Sequence, residues 1–125
     1  MKNTRIVYLY RDASNYKQGA DFVLAGALTA AQVARIWEIC DVGGSFIAHD
    51  VGLPDLQYRW LNQGCAFPTE DDHVWSELES LEPTSDPPTV TLTAATLFQS
   101  FCAITAWDVA AAAQRLGFAV SLTAD

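Results

Sequence analysis

The sequence predicts an α+β fold, a small and mainly antiparallel sheet with two or three helices packed on one face. Three observations carry that expectation. Two β-branched and aromatic runs sit close together near the N-terminus with a turn-forming stretch between them. Apolar residues at helical spacing, with capping signals, recur further along. The regular strand-helix alternation of a doubly wound sheet is missing, and so are GxGxxG and Walker-type phosphate loops. At 125 residues, 50% hydrophobic and 18% charged, residues 1–125 read as one globular domain with enough apolar material for its own core.

Taken in order, Ile6-Val7-Tyr8-Leu9-Tyr10 is apolar on both alternating faces, which predicts a central strand covered on two sides. Residues 12–19 are turn-forming, and Phe22-Val23-Leu24-Ala25 offers a second strand, giving an antiparallel hairpin with a long loop. Thr29 with Gln32 three residues later makes a capping box. Val33, Ile36, Trp37 and Cys40 then follow at helical spacing until Asp41-Val42-Gly43-Gly44 ends the helix. Residues 45–69 lack periodicity but hold Phe46, Ile47, Val51, Leu53, Leu56, Tyr58, Trp60 and Phe67, so an ordered, packed connection is expected.

Residues 74–79 read as a strand with Val74, Ser76 and Leu78 on one side; a short helix burying Trp75, Leu78 and Leu81 is the alternative. Residues 83–88 form a loop. Thr93 is the expected cap of a helix with Leu97, Phe98, Phe101 and Cys102 on its apolar stripe, and Leu92 staples against Leu97. Asp108 caps a further helix that stops at Gly117, and Phe118, Val120 and Leu122 alternate like a last strand.

Fifteen acids against seven bases give a net charge of -8, which argues against a protein that grips phosphate backbones by broad electrostatic attraction. The charge is unevenly placed. Residues 1–59 carry six bases and six acids, no Lys or Arg lies between Arg59 and Arg115, and seven acids fall within residues 70–86. Such a run is either a solvated face or a surface that recognises a basic partner. No secretory signal and no span of membrane length is visible, so a soluble, cytoplasmic protein is expected. Cys40, Cys65 and Cys102 are odd in number and lack CxxC spacing, which fits neither a disulfide framework nor a zinc site; Cys40 and Cys102 fall on apolar stripes and read as buried thiols.

Two groupings could carry chemistry. Arg11, Asp12, Ser14, Asn15 and Lys17 crowd polar side chains into a loop directly after a strand, where rigid scaffolds present binding groups; Asx-type turn formation is the plainer explanation. Together with Glu70, Asp71 and Asp72 they form the expected binding residues. His49, Asp50, Asp72 and His73 would suit a metal if the fold joined them, although none has the HExxH spacing of a readable site. No GxSxG elbow is present, and no Cys has a nearby His to activate it.

The phrases Tyr8-Leu9-Tyr10-Arg11-Asp12-Ala13-Ser14-Asn15-Tyr16-Lys17, Phe46-Ile47, Val51-Gly52-Leu53-Pro54-Asp55-Leu56 and Asp71-Asp72-His73-Val74-Trp75 resemble a group of small bacterial proteins with no established activity. The resemblance implies no catalytic residues and no cofactor.

The sequence therefore points first to a non-catalytic, acidic macromolecule-binding or regulatory protein of the inhibitor or immunity type. Its aromatic residues would serve as anchors and residues 70–86 would steer a basic protein partner. A small metal-assisted hydrolase using the 11–17 loop with His49 or His73 is the alternative, and a homodimer pairing an exposed apolar stripe is a third reading.

Overall fold

A computed structural model describes residues 2–118. Four strands form one sheet in the order β2-β1-β4-β3, with every pairing antiparallel. The strands are β1 (Asn3–Arg11), β2 (Lys17–Leu24), β3 (Ser45–Phe46) and β4 (Ser76–Thr84). The helices are α1 (Ala30–Ile39), α2 (Arg59–Asn62), α3 (Ala94–Cys102) and α4 (Val109–Leu116). This is the expected α+β domain.

β1 is central, but it is not covered equally on two sides. Thr4, Ile6, Tyr8 and Tyr10 are buried, whereas Arg5, Val7, Leu9 and Arg11 remain half-exposed. The buried face meets Ile36 of α1, Phe46, and Ala94, Leu97 and Phe101 of α3 in one core. On the outer face Val7 and Leu9 alternate with Arg5 and Arg11. An antiparallel sheet can leave one face to solvent in this way.

β4 is a strand, as the preferred reading of residues 74–79 has it, although it starts at Ser76 and runs on to Thr84, absorbing Pro83 from the expected loop. Its pattern poses a geometrical problem. Leu78 and Leu81 are three apart, so in an uninterrupted strand they would face opposite ways. The pairing shifts by one between Val7 and Tyr8, so Val7 opposes Ser80 while Tyr8 opposes Leu78, and Glu79 is the extra, exposed residue. This bulge returns both leucines to the core.

The hairpin loop is shorter than expected because β2 begins at Lys17, leaving residues 12–16 as the turn. Asn15 takes a left-handed φ of 70°, a conformation that Asn tolerates better than most residues. β2 is an edge strand, and its edge is occupied in part, at Val23 and Gly19. Thr89 donates its N–H to Val23 O at 2.9 Å while its Oγ1 accepts from Val23 N at 2.9 Å, and Arg59 donates to Gly19 O. Blocked edges of this kind limit strand addition by other chains.

The expected caps are present. Thr29 Oγ1 accepts from Gln32 N at 3.1 Å while Gln32 Oε1 accepts from Thr29 N at 2.9 Å. Thr93 and Asp108 accept from Thr96 N and Ala111 N, and Gly117 ends α4 in the left-handed conformation. After α1, Gly44 lies so close to the Trp37 ring that a Cβ there would fall 2.7 Å from Cζ3, with φ at 77°; only glycine lets the chain enter β3.

Residues 45–57 are packed as expected, with Phe46, Ile47, Ala48, Val51, Leu53, Leu56 and Gln57 buried, but the packing does not extend through residues 61–69, which are exposed apart from the half-buried Phe67. Tyr8 donates to Pro54 O at 2.6 Å, and Arg115 of α4 reaches Asp55 at 3.1 Å. Two expectations change on the helices. Cys102 is exposed, because the α3 stripe narrows to Ala94, Leu97 and Phe101, and Cys40, the C-cap of α1, is only half-buried. The expected last strand falls beyond Phe118 and so lies outside the described residues.

Candidate functional site

The turn of the β1–β2 hairpin is built by Asp12. Its Oδ1 accepts from Ser14 N at 3.0 Å and Tyr16 N at 2.9 Å, the Asx geometry that its side-chain length allows. Arg11 closes the turn from outside, donating to Asn15 Oδ1 at 2.6 Å and to both carboxylate oxygens of Glu77 at 3.1 and 3.3 Å.

A second loop meets this turn. Ala13 N donates to Asp71 O at 3.0 Å, and Ser14 Oγ donates to Asp71 Oδ2 at 2.6 Å. Asp72 Oδ1 accepts from the buried Tyr10 hydroxyl at 2.5 Å, and its Oδ2 accepts from Thr69 N at 2.9 Å and Thr69 Oγ1 at 3.2 Å. Burial, and then the bond to Asp72, push the Tyr10 hydroxyl well above its ordinary pKa, so Tyr10 stays a neutral donor.

His73 completes the stitch. Its Nδ1 accepts from Trp75 N at 3.0 Å and its Nε2 lies 2.7 Å from Arg11 O. A carbonyl only accepts, so Nε2 is the donor there, and both ring nitrogens are engaged.

Between the two loops opens a cavity of about 430 Å³, lined by Asp12, Ser14, Tyr16, Trp60, Cys65, Ala66, Thr69, Asp71 and Asp72. Its volume is in the range of small-ligand sites. Three carboxylates border it and no Lys or Arg does. Tyr16, 67% exposed, stands at its mouth, and Trp60 contributes an aromatic wall. Two carboxylate oxygens, Asp12 Oδ2 and Asp71 Oδ1, take part in none of the hydrogen bonds that hold the turn.

Of the residues expected to bind, Asp12, Ser14, Asp71 and Asp72 therefore come together at one cavity. Arg11 and Asn15 support it from behind. Lys17 is exposed at the start of β2 and Glu70 lies outside the lining, beside a neighbouring hollow that Asp72 also borders. The metal set is not assembled: among the described residues no group of three or more His, Cys, Asp or Glu side chains is placed to hold an ion. His49 is exposed in a 3-10 turn, Ala48–Val51, with Asp50 half-buried beside it, and His73 has no lone pair to offer. Burial raises the Asp50 carboxyl above its usual range, and Arg115 only partly offsets this.

Sequence reasoning missed Tyr16, Trp60, Cys65, Ala66 and Thr69. Trp60 stood among many apolar residues of an irregular segment, and nothing in its spacing marked it as facing a cavity. Tyr16 had a local signal, a large aromatic ring inside an otherwise polar turn.

Comparison with family models, with curated proteins and with solved structures finds no match to this chain. Among the described residues no helix is long and apolar enough to cross a membrane.

Proposed function

We propose that the protein is a non-catalytic cytoplasmic binding module, of the regulatory or inhibitor type, that docks a basic protein partner on the face formed by the hairpin turn and residues 65–72. The observation that carries this reading is the cavity itself, bordered by three carboxylates without a lining cation and flanked by Trp60 and Tyr16. Clustered acids without counter-ions create a negative potential, which speeds encounter with a basic surface and selects against acidic ones. Aromatic anchors within a polar rim are the usual make-up of an interface.

Catalysis has less support. The hydroxyl of Ser14 is committed to Asp71, and the one imidazole near the cavity, that of His73, is committed at both nitrogens. His73 therefore has no free acceptor with which to serve as a general base.

An array of short immobilised peptides of graded basic content tests the reading. Retention should rise with basic content, fall with added salt, and weaken in Asp71→Asn, where the amide oxygen still accepts from Ser14. Retention indifferent to basic content, or unchanged in Asp71→Asn, would overturn it.

A further inference from the structure

We infer that the cavity is a socket for one arginine side chain of the partner protein, an assignment that rests on the docking reading above and narrows it. The cavity has room for a single long side chain with some water but not for a helix or strand. Its occupant must be cationic, because the lining supplies three carboxylates and no cation.

The arrangement of the unused oxygens distinguishes arginine from lysine. Asp72 has both oxygens engaged, by Tyr10 and by Thr69. The oxygens left over belong to Asp12 and Asp71, which sit on different loops joined through the Ser14 hydroxyl. A guanidinium offers five N–H groups in a rigid plane and can serve two separate carboxylates at once, while its face rests on aromatic carbon. Trp60 and Tyr16 supply that carbon. The lysine ammonium is compact and more strongly hydrated, so it loses more on entering a space walled by Trp60, Ala66 and Cys65.

The site is also fixed before any ligand arrives. The Asx turn at Asp12, the Ser14–Asp71 bond and the His73–Arg11 bond hold both loops in place, so binding need not order them.

Three capped pentapeptides, Gly-Gly-X-Gly-Gly with X as arginine, lysine or citrulline, test the assignment by two-dimensional NMR titration. The arginine peptide should shift the Trp60 indole and the Ser14 and Asp71 amide signals, and bind about tenfold more tightly than the lysine peptide, a difference of about 1.4 kcal/mol. Citrulline, which keeps the shape without the charge, should not bind. Asp71→Asn should weaken the arginine peptide several-fold without moving the urea midpoint, and Trp60→Leu gives a second variant that removes the aromatic wall and keeps the charges.

Equal affinity for arginine and lysine, shifts confined to other surfaces, or no shift with any pentapeptide would each overturn the arginine socket. The docking reading is judged separately: it survives those outcomes if longer basic peptides are still retained in a manner sensitive to Asp71→Asn, and falls with them if they are not.

Discussion

On the outer face of the sheet, Arg5 lies 3.2 Å from Asp21 and 2.9 Å from Asp86, and Arg11 lies 3.1 Å from Glu77. A few residues further along the same hairpin, Asp12 shares a cavity with Asp71 and Asp72, and no arginine or lysine lines it. Both surfaces are rich in acids, yet on one of them arginines pair with acids and at the other no cation lines the site. The difference does not follow the split in the sequence. Arg5 and Arg11 belong to the half whose charges balance, and they cross the sheet to pair with acids of the 70–86 run. Asp12, from that same balanced half, joins Asp71 and Asp72 at a cavity that no Lys or Arg lines. A formal charge of -8 thus says little about where negative potential is available to a partner; pairing in three dimensions decides it.

The sharpest way to break the contrast is to unstitch the cleft while leaving the sheet face intact. His73→Ala removes an acceptor from Trp75 N and a donor from Arg11 O, and should cost about 2–4 kcal/mol as both backbone groups lose their partner. Urea unfolding measures that cost, and peptide binding should fall with it. A loss below about 1 kcal/mol would mean that the imidazole does not hold the loops together.

A smaller effect is expected from Asn15→Ala. The φ of 70° then falls on a residue with a Cβ and no local hydrogen bond, and the Arg11 contact is lost. We expect about 1–2 kcal/mol, with Asn15→Gly much closer to the parent protein. Equal losses in the two variants would place the effect in the Arg11 contact and not in the backbone conformation.

Arg11→Gln probes the compensated surface. Its ion pair with Glu77 is partly exposed, so the change in stability should be about 0–1 kcal/mol and should shrink in salt. The variant should also leave Glu77 without its partner and increase weak, salt-sensitive retention of basic peptides, making the sheet face behave more like the cleft. Unchanged retention would show that carboxylates without the cavity walls attract too weakly to matter.

Asp50 is an intermediate case, where Arg115 lowers the carboxyl pKa but burial outweighs it and the net shift is upward. A carboxyl whose folded value lies above its unfolded value binds more protons in the folded state. Stability therefore falls as pH rises from the ordinary carboxylate range through the raised folded value, and the loss persists at neutral pH. Asp50→Asn should flatten that part of the stability profile, with a small gain at neutral pH. A steeper profile would contradict the assigned direction.

Much of the fold was legible because local chemistry and final structure agree. Thr29, Thr93, Asp108 and Gly117 sit where their capping preferences place them, and β1 lies at the centre of the sheet. What the sequence concealed required knowledge of partners distant along the chain. The one-sided burial of β1 depends on where α1 and α3 settle, and the bulge at Glu79 is evident only once Leu78 and Leu81 are known to share a core. Cys102 followed the helical stripe in spacing but lies beyond its buried width. At the site, the polar turn and Asp71-Asp72 were readable as separate groups. Their joining rests on the Ser14–Asp71 bond, which spans 57 residues and leaves no local pattern. Trp60 and Cys65 stood in a segment without periodicity, where sequence offers no way to tell a cavity wall from core.

Cys65 lines the cavity, and its thiol can report whether a basic partner enters there. Burial pushes the Cys40 thiol up to about 11, which slows its alkylation, and Cys102→Ser removes the other exposed thiol. In that background, the rate of Cys65 alkylation by iodoacetamide should fall saturably as a peptide rich in arginine and lysine is added, and Asp71→Asn should shift the protection to higher peptide concentration. An alkylation rate that stays constant up to saturating peptide would show that basic partners bind elsewhere, or not at all, and would contradict the assignment of the uncompensated cleft as the docking site.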